Sequence, residues 1–124
     1  MIKDMKLRIK GNTIRIRLSE PEVSRLATGE QVVEQTQFPG ATLLYKVHVA
    51  GSMRADFVDG AITVQLAKEE VDQWANTDQV SISQEIALQN ANKLSILVEK
   101  DFKCLTRRPE EEADLFPNPN KHHC

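Results

Sequence analysis

The sequence predicts an α+β fold made of two ββαββ repeats, and three observations carry that prediction. A segment recurs 48 residues further along the chain. Strand-type alternation flanks a tight turn in each copy, and a helix-type start follows each of those hairpins. Compared position by position, Ile14–Val32 and Ile62–Val80 agree at seven of nineteen places: Ile14/Ile62, Leu18/Leu66, Glu22/Glu70, Val23/Val71, Ala27/Ala75, Gln31/Gln79 and Val32/Val80. Chance would give roughly one such match, so the agreement marks an internal duplication.

The elements follow in order. Met5, Leu7 and Ile9 alternate with Lys6, Arg8 and Lys10, the pattern of a half-buried strand. Gly11-Asn12 turns the chain, and Ile14, Ile16 and Leu18 alternate with Arg15 and Arg17 in a second strand. The second copy repeats this with Met53, Ala55 and Phe57, then Asp59-Gly60, then Ile62, Val64 and Leu66. Asp-Gly between alternating runs is a strong two-residue hairpin signal. Ser19 and Glu22 have capping-box spacing, and Pro21 falls in the first helical turn, where its missing N–H costs little. Leu18 and Val23, and again Leu66 and Val71, are spaced to staple the start of each helix. Val23, Leu26 and Ala27 form one apolar stripe, Val71, Trp74 and Ala75 its counterpart, and Gly29 suits a helix end. Gln31–Phe38 and Leu43–Val49 read as the closing strands of the first copy, Val80–Ile86 and Leu94–Val98 as those of the second, with turns at Phe38-Pro39-Gly40 and Asn90-Ala91-Asn92.

Hairpin linkage implies a mainly antiparallel arrangement. Two related units then pack about a pseudo-two-fold axis, as a sandwich or a partly closed barrel, with the helices covering the core or the barrel ends. The duplicated domain occupies residues 1–102, with repeat one at 5–49 and repeat two at 53–98, and a tail of different composition spans 103–124. At 124 residues, 40% of them hydrophobic, the chain has enough apolar material for one core without covalent staples. Two cysteines are too few for a disulfide scaffold. No apolar run has signal-peptide or membrane-spanning length, so the expected location is the cytoplasm and no membrane is expected as partner.

The net charge of −2 argues against binding nucleic acid by bulk charge, but its distribution is uneven. Residues 1–20 carry six Lys or Arg against two acids, whereas residues 109–120 carry four acids and no base. The duplication supplies a comparison. Lys6, Arg8, Lys10, Arg15 and Arg17 correspond to Arg54, Asp56, Val58, Thr63 and Gln65, so the fold itself does not require five cations there. Arg8, Lys10, Arg15 and Arg17 are therefore the candidate anion-binding set, suited to phosphate; a solvated or edge-protecting face is the plainer explanation of the same charges.

The tail holds a second candidate. Cys104, His122, His123 and Cys124 offer two thiolates and two imidazoles, a donor set that suits zinc, with copper(I) or nickel as alternatives. Phe102, Leu105, Leu115 and Phe116 are apolar residues that could anchor this segment. Enzyme signals are weak. No phosphate-binding loop, nucleophile elbow or metalloprotease motif occurs, and no catalytic residue is assigned. Glu20, Glu22, Glu69 and Glu70 sit where a helix dipole favours acids, and His48 shares the polar side of its strand with Lys46.

Two resemblances follow from these residues. Ile14-Arg15-Ile16-Arg17-Leu18, with the count of eight strands, resembles the triphosphate-tunnel enzymes, which implies a barrel lined inside by Arg and Lys; their Glu-x-Glu-x-Lys motif is absent here. The chain as a whole, with Lys6–Gly11 near its start and Glu99–Leu105 and Phe116–Pro119 near its end, is similar to a family of small bacterial proteins that constitutes a domain of unknown function. The expectation is a small binding protein with metal in the tail as its first ligand, and with a small anion or phosphorylated ligand on the basic face as the alternative, by way of a phosphohydrolase if an enzyme at all. An interaction module, self-associating as a homodimer through a strand edge, is the third reading.

Overall fold

A computed structural model describes residues 5–102. Ten elements follow one another: β1 (Lys6–Lys10), β2 (Thr13–Leu18), α1 (Glu20–Ala27), β3 (Val32–Gln37), β4 (Thr42–Ala50), β5 (Arg54–Val58), β6 (Ala61–Ala67), α2 (Lys68–Asn76), β7 (Ser81–Ala87) and β8 (Lys93–Lys100). The two ββαββ units are thus present in the order the duplication predicts.

The turn chemistry explains the hairpins. Asp59 and Gly60 adopt φ values of 53° and 77°, both positive, the two-residue turn whose twist matches that of the flanking strands. Gly11 alone takes positive φ in the corresponding turn of the first copy, with Lys10 paired to Thr13 across it. Helix α1 has the complete capping box: Ser19 Oγ accepts from the Glu22 amide, and the Glu22 carboxylate accepts from the Ser19 amide at 2.9 Å. Its other end closes in a Schellman motif. Gly29 donates to the Leu26 carbonyl and Glu30 to the Arg25 carbonyl, with Gly29 at φ 91°. In α2 the N-cap position holds Ala67, and no side chain caps that helix.

The sheets exchange hairpins between the repeats. One sheet runs β1-β2-β8-β7 and the other β3-β4-β6-β5, so each joins the opening hairpin of one repeat to the closing hairpin of the other. Pairing within each hairpin is antiparallel, but the strands that join the repeats, β2 with β8 and β4 with β6, run parallel. The sheets are therefore mixed. They remain two separate four-stranded sheets, and among the described residues no closed barrel forms. A barrel interior lined by Arg15 and Arg17, as the tunnel resemblance implied, is absent: alternation along β2 sends Ile14, Ile16 and Leu18 inward and both arginines to the outer face.

The helices pack on each other and touch both layers, α1 against β3 and β4, α2 against β4, β6 and β7. One core joins Ile16, Leu18, Ile96 and Val98 of the first sheet, Val47, Val64 and Leu66 of the second, and Val23, Leu26, Val71 and Trp74 of the helices. Trp74 is fully buried and its indole N–H donates to the Val80 carbonyl at 3.0 Å, so its one polar atom is satisfied. Leu26 occupies the corresponding place in α1 and is equally buried.

Candidate anion-binding face

The outer face of the β1-β2-β8-β7 sheet is built by register. Residues directly opposite in an antiparallel pair project to the same side. The pairs Lys6↔Arg17, Arg8↔Arg15 and Lys10↔Thr13 therefore place all five cations of β1 and β2 on one surface. Leu7 and Ile9 project to the other side with Ile14 and Ile16. Like charges directly across a sheet repel, so this row needs counter-charge.

Among the described residues, Glu99 and Asp101 supply it. Parallel pairing sets Glu99 of β8 beside Arg17. The Nε–H groups of Arg15 and Arg17 both donate to Glu99 Oε1, at 2.8 and 2.6 Å. The Glu99 side chain is only 8% exposed, against 21% and 26% for the two arginines. Screening by solvent is weak there, and charge-assisted bonds to a buried carboxylate hold both guanidinium planes in place. At the end of the row Lys6 pairs with Asp101 at 3.0 Å. Among the described residues, Glu99 and Asp101 are thus bonded to Arg15, Arg17 and Lys6 of this row. The row ends at the Gly11-Asn12 turn. There Arg8, Lys10, Thr13 and Arg15 line an open depression of about 210 Å³.

Three of the four residues expected from the sequence, Arg8, Lys10 and Arg15, thus converge on one concavity. Arg17 lies next to it along β2, tied to Glu99. Sequence reasoning missed Thr13, a hydroxyl donor and acceptor opposite Lys10, and Glu99. The signal for Thr13 is its place directly after the turn, in phase with Arg15 and Arg17. Glu99 is in phase with Ser95 and Leu97 on the polar side of its strand, but its partners depend on the parallel β2–β8 pairing.

Other candidates separate from this face. His48 and Lys46 lie on β4 of the second sheet, opposite Gln65 and Thr63. Glu22 is buried, and its carboxylate caps α1 and accepts from the Met5 amide at 3.1 Å, a structural duty. Cys104, His122, His123 and Cys124 fall outside the described residues. Among the described residues no group of three or more His, Cys, Asp or Glu could hold a metal ion, and no helix is long and apolar enough to cross a membrane. A second depression, of about 290 Å³, lies between the end of α1, the β4–β5 connection and the start of α2, where Lys68 and Asp72 pair with each other at 3.1 Å.

Fold and face together define an α+β protein of two ββαββ-like units in two four-stranded mixed sheets, with a row of cations on the outer surface of one. More particularly, the chain belongs to the family of unknown function DUF7009, whose family model matches residues 5–120. No curated protein and no solved structure matches it.

Proposed function

We propose that this protein binds a small phosphate-type anion, or a ligand carrying one, on the outer face of the first sheet. Arg8, Lys10 and Arg15 supply charge and N–H donors, Thr13 supplies a hydroxyl, and Glu99 braces Arg15 and Arg17. The observation that carries the reading is the convergence of these four lining residues on one depression. The duplication strengthens it, because the corresponding residues of the second repeat are Asp56, Val58, Ala61 and Thr63, which present no cation. One fold thus carries the cluster at one of two related places, and the cluster is not a requirement of folding. Cations and a hydroxyl bind and orient a phosphate; among the described residues the lining includes no carboxylate or imidazole that could serve as a general base.

The test is calorimetric titration with inorganic pyrophosphate at low ionic strength, for the wild type and for Arg8→Gln/Lys10→Gln. Binding that weakens on adding salt, and that falls roughly tenfold or more in the variant, is the expected outcome. No binding by the wild type, or equal binding by both proteins, overturns the proposal.

A further inference from the structure

The two opening hairpins are structural equivalents, yet their edge strands are treated differently. β1 and β5 each lie at the edge of a sheet. Along β1 the outward residues are Lys6, Arg8 and Lys10, like charges that keep a second strand from pairing there. Along β5 the same positions hold Arg54, Asp56 and Val58. This edge carries both signs of charge and exposes apolar side chains: Phe57 is 70% and Val58 61% exposed.

The hairpin turn fixes which backbone groups face the open edge. Val58 and Ala61 flank the two-residue Asp59-Gly60 turn and form a hydrogen-bonded pair. By alternation Arg54, Asp56 and Val58 direct their N–H and C=O groups at β6, whereas Ala55 and Phe57 direct theirs outward. A strand that docked antiparallel would meet those outward groups.

We propose that this edge takes a second copy of the same chain, β5 against β5, about a two-fold axis through Ala55. In that register Ala55 faces Ala55 of the second copy, and Phe57 faces its Met53, both as hydrogen-bonded pairs. Arg54 then falls directly opposite Asp56 of the second copy, and Asp56 opposite its Arg54. These are non-hydrogen-bonded pairs, in which side chains approach most closely. Arg54 and Asp56 already lie 3.7 Å apart on one strand with more than half of each side chain exposed, so they can exchange partners without unfolding anything. The exposed Phe57 ring gains an apolar neighbour in the second copy's Met53. The result is an isologous dimer with one continuous eight-stranded sheet. The same operation applied to β1 about Leu7 would set Lys6 against Arg8, which is repulsive. The sequence therefore favours one edge and forbids its equivalent.

The inference is independent of the anion reading, since β5 belongs to the other sheet. It is tested by sedimentation equilibrium across a wide concentration range on the wild type, Arg54→Asp, Asp56→Arg and the double swap Arg54→Asp/Asp56→Arg. The wild type should approach twice the 14.0 kDa of one chain as concentration rises. Each single reversal places like charges opposite each other twice and should weaken association roughly tenfold, and the swap should restore it. Both residues exchanged are solvent-facing, and amide exchange at Ala55 and Phe57 gives a second readout on the unaltered protein: both should slow as the wild type is concentrated. A wild type that stays monomeric, single reversals that associate as well as the wild type, or a swap that remains monomeric would each overturn the proposal.

Discussion

Glu99→Gln separates the structural and functional duties of the cationic face, because it should move stability and anion affinity in opposite directions. In the wild type two guanidinium Nε–H groups converge on one carboxylate oxygen, at 2.8 and 2.6 Å, on a residue that is nearly buried. A hydrogen bond to a charged group contributes about 1.5–3 kcal/mol to stability. Glutamine keeps the shape and one acceptor oxygen, so the loss is the charge-assisted part of two bonds. The arginines retain about a fifth to a quarter of their exposure, and water recovers some of that loss. The net cost comes to about 2 kcal/mol, a fall of roughly 8 °C in melting temperature for a domain of this size. Pyrophosphate binding should meanwhile tighten roughly three- to tenfold at low salt, since one neutralising charge has left the face. Urea unfolding gives the first quantity and calorimetric titration the second. A variant as stable as the wild type would refute the bracing role, and weaker anion binding would refute the electrostatic account of Glu99.

Other substitutions test the frame and the tail. Ala67→Ser should create in α2 the capping box that α1 already has, because Glu70 stands at the third helical position as Glu22 does in α1; a gain of about 1 kcal/mol in urea unfolding is expected. Gly29→Ala should cost about 1 kcal/mol by the same measurement, since φ of 91° is open to glycine and strained for alanine. Trp74→Ala removes the largest fully buried side chain together with its bond to the Val80 carbonyl, and should cost about 3–5 kcal/mol. The zinc expectation for Cys104, His122, His123 and Cys124 is checked by elemental analysis of untagged protein. Near-stoichiometric metal in the wild type and none in Cys104→Ser/Cys124→Ser is the expected result, and metal-free wild type refutes it.

Much of the frame was readable because the signals are local. Asp59-Gly60 dictates its turn through φ, Ser19 and Glu22 cap α1 within one helical turn, and the alternation of Ile14, Ile16 and Leu18 with Arg15 and Arg17 assigns faces without knowledge of any neighbour. The duplication raised single signals to paired ones. What the sequence could not display was the exchange between repeats. Hairpins announce antiparallel partners through their turns, but β2 meets β8 and β4 meets β6 through no connecting turn at all. Those pairings follow from burying both helices and two apolar sheet faces in one core, a global condition that leaves no local mark. Leu18 and Val98, eighty residues apart in sequence, both become fully buried only through it.

The same logic decides what was legible in the candidate site. Arg8, Lys10 and Arg15 lie on one hairpin, so their convergence needs only the Gly11-Asn12 turn and period-two alternation. Glu99 enters the face from the far end of the chain, across the parallel pairing, and could not be joined to them by spacing. Its position carries a further consequence. The parallel strand that completes the core also delivers the carboxylate that holds Arg15 and Arg17 in register, so the charge of the face is set by the assembly of the two repeats. At the equivalent place in the second sheet, His48 of β4 meets Gln65 of β6, where the first sheet sets Glu99 beside Arg17. The inward positions match between the two units at Ile14/Ile62, Leu18/Leu66 and Val23/Val71, whereas Arg8, Lys10, Arg15 and Arg17 correspond to Asp56, Val58, Thr63 and Gln65.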